Sequence, residues 1–304
     1  MMGGTFAMEF EPTMRKRLLS LVLCLLLIPV TLSAQQSRED APDLYNTRYA
    51  DDHRRQRLDV YLPAGDDPAP VVVAIHGGGY LFGEKRDLTN FADGLRDAGY
   101  AVVTPNYRLV PDVTYPTPIE DMTCALAWTH AHAEAYNFDT DRVYIAGDSA
   151  GGNAALLMGL TDDLNDYFNS ACDHPMPETW LHGIIAYYPI VDLSTCTAVC
   201  EPARRATALY LGGEELTPDL WGAANPVTHI DTDDPPVLLI HGTADRVVPD
   251  SESRYLADLL EEAGVPVDLH LIDGADHAFI DLIDRSDGAD ALAIMDEWLA
   301  ERQQ

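Results

Sequence analysis

Val143-Tyr144-Ile145-Ala146-Gly147-Asp148-Ser149-Ala150-Gly151-Gly152 is the stretch that decides the fold. Val143–Ala146 is a short apolar run, as expected of a strand buried on both faces. The small-residue run from Ala150 to about Leu160 reads as a helix. Between them, Gly147-x-Ser149-x-Gly151 must turn the chain sharply from strand into helix, and glycines allow that turn without Cβ clashes. The same rhythm extends both ways. Strands are expected at Arg57–Pro63, Val71–Ile75, Tyr100–Pro105, Gly183–Tyr188, Val237–Ile240 and Val267–Ile272. Helices are expected at Asn90–Ala98, from Pro118 through Trp128, at Ser251–Ala263 and at Ala289–Glu301. Alternating strands and helices imply an α/β fold, its mostly parallel central sheet covered by helices on both faces.

Two segments stand outside this rhythm. Residues of about Gln35–Gln56 are polar and read as a lead-in. Asp192–His229 is irregular, carries Cys196 and Cys200, and reads as a small lid inserted over the site. Residues 35–304 otherwise read as one domain. The first 34 residues read as an extension and a secretory signal. Arg15-Lys16-Arg17 is a basic cluster, Leu18–Val30 an apolar run, and Thr31-Leu32-Ser33-Ala34 a small-residue exit. The run is too short for a comfortable membrane span, so no stable membrane insertion is expected once it is removed. Met14, just before the basic cluster, is an alternative start. Cys24 lacks the small preceding residues of a lipoprotein signal. The chain is therefore expected in the periplasm or the medium, where Cys124, Cys172, Cys196 and Cys200 can form disulfides in any of three pairings.

Lys+Arg 19 against Asp+Glu 50 gives a net charge of −31. A field of that sign repels nucleic acid and anionic membrane surfaces, which excludes both as partners. Lysine occurs only at Lys16 and Lys85. An Asp-rich, Lys-poor surface fits either a protein kept soluble in high salt or simple solubility of an exported one.

The chemistry gathers around Ser149. A serine hydroxyl is a weak nucleophile and must stand exposed on a strand-to-helix turn where a base can reach it. The helix N-terminus behind it favours developing negative charge. His76-Gly77-Gly78-Gly79-Tyr80 ends the strand Val71–Ile75. Bare backbone N–H groups of Gly78 and Gly79, with that of Ala150, can form an oxyanion hole, and Gly77 is expected to shape the turn. A phosphate-binding loop is the rival reading, but the lysine of a P-loop is missing. His76 reads as a structural hydrogen-bonder. Asp245 and His277 each follow a predicted strand, where open α/β sheets build their sites. The order Ser149, Asp245, His277 is that of α/β-hydrolases, with His277 as base and Asp245 as its orienting acid. His241 reads as a packed strand-end residue, Asp250 as a helix cap, and Glu120-Asp121 as helix N-terminal charge. No metal or organic cofactor is implied.

His76-Gly77-Gly78-Gly79 together with Gly147-Asp148-Ser149-Ala150-Gly151-Gly152 resembles the bacterial hormone-sensitive-lipase type esterases. Tyr107-Arg108-Leu109, Tyr115-Pro116, Asp121 and the contexts of Asp245 and His277 match as well. The resemblance runs from about Arg57 to the C-terminus. It departs at the N-terminus, where the family's long helical cap is missing. Gly79–Arg86 is instead similar to the small-capped esterases grouped with feruloyl and acetyl-xylan esterases. The resemblance implies an α/β-hydrolase fold and hydrolysis of short acyl or aryl esters, free or polysaccharide-linked, through an acyl-enzyme on Ser149. An amidase, arylformamidase or prolyl-type peptidase relative can use the same triad. A non-catalytic binding protein on the same fold is the reading from another class. Intact Ser149, Asp245 and His277 argue against it.

Overall fold

Ala69–Ile75 is buried along its whole length, and residues 143–148 of the strand beside it are buried as well. Both runs are apolar on both faces, so only the middle of a sheet covered by helices on either side can accommodate them. The computed structural model describes residues 42–167, 172–175, 181–194, 201–213, 217–280 and 285–302. The signal segment with Met14 and Cys24, as well as Cys196 and Cys200, lies outside the described residues.

Eight strands form one sheet: β1 (Leu44–Arg48), β2 (Arg57–Tyr61), β3 (Ala69–Ile75), β4 (Ala101–Pro105), β5 (Phe138–Asp148), β6 (Gly183–Tyr187), β7 (Val237–Gly242) and β8 (Val267–Ile272). Their order is β1-β2-β4-β3-β5-β6-β7-β8. β2 runs antiparallel to both neighbours, and every pair from β4 to β8 is parallel. This is the α/β-hydrolase fold. The main helices are α1 (Thr89–Asp97), α2 (Thr117–Ala131), α3 (Ala150–Leu160), α4 (Glu201–Tyr210), α5 (Pro218–Ala224), α6 (Ser251–Ala263) and α7 (Ser286–Glu301).

The period-2 alternation of the strands divides the core. Val71, Val73 and Ile75 face α2, α3 and α6, with Ile119, Leu157 and Leu256 among the residues packed there. Val72 and Ala74 face the opposite layer, where Phe91 and Leu95 of α1 meet Met295 and Trp298 of α7. Each fully buried valine contributes about 1.5–3 kcal/mol through removal of apolar surface from water. The strands β3, β5, β7 and β8 all release their C-terminal ends on one edge, and that edge carries the site.

Several expectations need correction. The lead-in contains a strand, β1, whose Leu-Tyr-Asn-Thr-Arg sequence is half exposed because it is the outermost strand and has a neighbour on one side only. β5 begins at Phe138, five residues before its apolar run, where the polar stretch 139–142 is only partly buried. The insertion over 192–229 contains helices α4 and α5. Asp250 occupies the cap position of α6 without a side-chain cap bond, and its carboxylate instead accepts from Arg254 Nε at 3.0 Å. Asp121 is no helix-end charge. It is buried and takes paired hydrogen bonds from Arg108, with Gln56 as a second partner.

Of the pairings open to the cysteines, the structure joins Cys124 on α2 to Cys172, 48 residues on. Closing a loop of that size removes conformational freedom from the unfolded chain. The double variant Cys124→Ser/Cys172→Ser is expected to lose about 2–4 kcal/mol of unfolding free energy, read by denaturant titration. An unchanged midpoint would show that the bridge contributes nothing to the folded state.

Candidate active site

Ser149 sits between β5 and α3 with φ 51° and ψ −115°, a conformation rarely populated by residues with a side chain. Such backbone costs about 1–3 kcal/mol and persists only where its surroundings over-determine it. Here they do. The Ser149 N–H donates to Tyr187 O at 2.9 Å, and its carbonyl accepts from Asn153 N–H at 2.9 Å. A Cβ at position 147 would collide with the Gly151 carbonyl, and one at 151 with the carbonyl of Ile75. The start of α3 can therefore lie against β3 and β5 only with glycine at both places.

The turn delivers Ser149 Oγ to His277, which follows β8. His277 Nε2 is 3.0 Å from Ser149 Oγ, and its Nδ1 is 2.6 Å from Asp245 Oδ2. Because a carboxylate only accepts, Nδ1 carries the proton and Nε2 is free to accept from the hydroxyl. Asp245 follows β7, and its side chain is fully buried. Its other oxygen accepts the N–H groups of Val247 and Val248, each at 2.8 Å. Burial works to raise the Asp245 carboxyl. The imidazoles of His241 and His277 and the Val248 N–H outweigh it and hold the group well below the ordinary carboxylate range. Asp276, next to His277 in sequence, points elsewhere and pairs with Arg246.

Beside Ser149 lies the loop after β3. Gly78 and Gly79 have φ of 104° and 62°, and both line the cleft. Among the described residues, none accepts from the N–H of Gly78, Gly79 or Ala150. These are the three expected donors. Gly77 also makes a specific bond across to the serine turn. Its N–H donates to Asp148 Oδ1 at 2.7 Å, and a Cβ there would collide with that carboxylate. Asp148 thus ties the donor loop to the serine turn. His76 is structural, as expected: it is buried, stacks on Tyr107 at 4.4 Å, and bonds Gly77 O through Nδ1 at 2.8 Å. Burial pulls its pKa down to about 4 against the raising effect of the Gly77 bond, so the ring is neutral near pH 7.

The cleft above these groups encloses about 360 Å³. Leu81 and Phe82 form one part of its wall, Ile190 and Leu193 another, and Thr207 and Tyr210 of α4 a third. Tyr210 stacks on Tyr80 with ring centroids 3.9 Å apart, which seats the inserted helix over the site. Tyr80 in turn donates to Asn153 Oδ1 at 2.8 Å, and Asn153 Nδ2 donates to Ile190 O at 2.8 Å. Buried Glu252 accepts the N–H groups of Val191 and Asp192 and so holds the same wall. Sequence reasoning missed Asp148, Asn153, Tyr210 and Glu252. Only Asp148, inside the serine motif, carried a signal that could have found it.

Fold and site together define a class: an α/β-hydrolase fold bearing a Ser–His–Asp constellation beside free N–H donors. The chain belongs to the BD-FAE family, whose profile matches residues 58–260. It is 29% identical over 261 residues to a probable carboxylic ester hydrolase, LipM, of Mycobacterium tuberculosis, covering 83% of this chain and 60% of that protein. It is 26% identical to an esterase of Gibberella moniliformis, covering 76% of this chain and 73% of the other. The chain spans about three fifths of the length of LipM and of the M. tuberculosis esterase LipQ, which is 28% identical over 76% of this chain. A truncated carbohydrate esterase from gut microbiota superposes with a TM-score of 0.75 at 23% identity, covering 87% of this chain and 98% of its own. The Thermogutta terrifontis esterase Est2 superposes at 0.72 and 24%, over 87% and 95%. At those identities the likeness speaks for the fold.

The positive φ of Gly78 and its contact with the Phe82 backbone generate a test. Gly78→Ala is expected to displace one donor and lower kcat by about 10²–10³-fold with little change in KM, the effect of losing an oxyanion-hole donor. Steady-state kinetics on any turned-over substrate checks it, and an unaltered kcat would remove Gly78 from the hole.

Proposed function

We propose that this chain is a serine carboxylic-ester hydrolase acting on neutral esters with short acyl or aryl groups. The observation that carries the reading is the hydrogen-bonded line Asp245–His277–Ser149 ending beside three unpaired N–H donors. In this reading Ser149 Oγ attacks the ester carbonyl carbon while His277 Nε2 takes the hydroxyl proton. The carbonyl oxygen becomes an oxyanion, met by the N–H groups of Gly78, Gly79 and Ala150 at the start of α3. Collapse breaks the bond to the alcohol, which leaves with the proton from His277. Water then attacks the acyl-Ser149 ester with His277 again as base, releasing the acid and restoring the hydroxyl.

The size and lining of the cleft support the substrate class. A volume of about 360 Å³ lies at the small end of ligand sites, which run from about 300 to 1,000 Å³. Asp87 and Asp148 line it, and the chain carries −31, so anionic substrates are repelled. Phe82 is 68% exposed and lines the cleft mouth beside Gly78. Its ring offers a flat apolar face to an aryl group or to the C–H face of a sugar, in keeping with the carbohydrate-esterase names of structural relatives. Export is part of the proposal: the signal-like N-terminus and the Cys124–Cys172 bridge both support an oxidising compartment.

A chain-length series of nitrophenyl esters tests the reaction, with Ser149→Ala as control. Acetate and butyrate are expected to be hydrolysed and the variant to be inactive. Ser149-dependent cleavage of formamide or peptide bonds, without ester cleavage, would overturn the reading. Phe82→Ala is expected to raise KM for phenyl and acetyl-sugar esters by about threefold to tenfold, the worth of one aromatic contact, and to leave ethyl acetate unchanged. An equal change for all three would show that the ring contacts no substrate.

A further inference from the structure

His241 is fully buried at the end of β7 and has no part in the mechanism above, yet its ring meets three groups at once. Nδ1 lies 2.7 Å from Ser253 Oγ on α6, Nε2 lies 3.0 Å from Val248 O, and Nε2 is also 3.4 Å from Asp245 Oδ2. These partners fix the tautomer. The Val248 carbonyl can only accept, so Nε2 carries the hydrogen, and Nδ1 accepts the Ser253 hydroxyl hydrogen. The ring is thereby locked in orientation, and its Nε2–H points at the two acceptors of the Asp245 turn.

That turn is what the ring controls. Val248 is gripped from both sides: its N–H donates to Asp245 Oδ1, and its carbonyl takes the His241 N–H. We propose that His241 is the positioning residue of the acid turn, an imidazole held by Ser253 that fixes Asp245 where it aligns His277 and draws part of the carboxylate charge toward itself. The proposal rests on the triad reading of Ser149, His277 and Asp245, and it adds a second imidazole to the carboxylate oxygen that His277 uses.

His277 becomes a cation as it takes the Ser149 proton, and the Asp245 charge stabilises that cation. A dipole from His241 on the same oxygen weakens this stabilisation. Removal of the dipole leaves more charge for His277, which then holds its proton more tightly, so the acid limb of activity moves to higher pH. The other ionisable groups nearby are Tyr188, whose ring centre is 6.4 Å from that of His241 and 4.6 Å from that of His277, and Asp148 across the cleft. Glu252 on α6 is held by the Val191 and Asp192 N–H groups, and Asp276 and Arg246 pair on the exposed side. None of them is altered in the variants below.

The rate at which a neutral organophosphonate labels Ser149 reads the activation of the hydroxyl without requiring ester turnover, so a failed ester assay leaves this test intact. It is measured against pH for the wild-type chain, His241→Phe, His241→Gln and Ser253→Ala, each checked for folding by its melting curve. His241→Phe removes the N–H and is expected to slow labelling about tenfold, the worth of one buried hydrogen bond, and to move the acid limb to higher pH. His241→Gln, whose amide N–H reaches Val248 O, is expected to recover most of the rate. Ser253→Ala, which only frees the ring to turn, is expected to show a smaller loss with the limb moved the same way. Wild-type rate and limb in folded His241→Phe or Ser253→Ala would overturn the proposal, as would a rate loss in all three variants with no movement of the limb.

Discussion

The left-handed backbone of Ser149 is the constraint on which the rest of the site depends. One residue with φ 51° joins the last residue of β5 to the first turn of α3. Everything that makes it tolerable also builds the site. The close approach of Gly147 and Gly151 brings α3 against the sheet, and Ala150 at its start lines the cleft with Ser149. Asp148, one residue earlier, reaches across to the Gly77 N–H and fixes the loop that supplies the other two donors. The strain of the turn is offset by contacts that the chemistry requires in any case.

Several buried charged side chains of the chain are paired and hydrogen-bonded. Asp245 is satisfied on both oxygens, by two backbone N–H groups and by His277. Asp121 is matched by Arg108 and Gln56. Lys85, the one lysine of the described chain, is 3% exposed and bonds both oxygens of Asp59. A paired and hydrogen-bonded interior charge is tolerated where a lone one would cost several kcal/mol. With Lys85 taken inside, the described surface carries its positive charge on arginine, against a large excess of carboxylates. The acid surface and the paired interior are separate features: the interior pairs hold the fold, and the surface charge acts on which substrates approach.

The sequence was most legible where a local pattern and a local constraint coincide. Val143–Gly152 encodes strand, turn and helix in ten residues, and the ends of β7 and β8 carry Asp245 and His277 at positions that the parallel topology brings to one edge. Legibility failed where the determinant is a partner far along the chain. β1 is polar because it is an edge, so it shows no alternation. Tyr210 belongs to the site because it stacks on Tyr80, 130 residues earlier, and Glu252 because two N–H groups 60 residues away need an acceptor. His241 reads as an ordinary strand-end residue until Ser253 and Val248 are seen around its ring. Spacing alone does not encode such contacts.

The central claim is that Ser149 carries the acyl group. Acid-quenching the chain within milliseconds of mixing with nitrophenyl butyrate, followed by peptide mass mapping, tests it most directly. A butyryl group is expected on the peptide containing Ser149 and on no other. A butyryl group on another side chain, or ester hydrolysis that proceeds undiminished in Ser149→Ala, would contradict it.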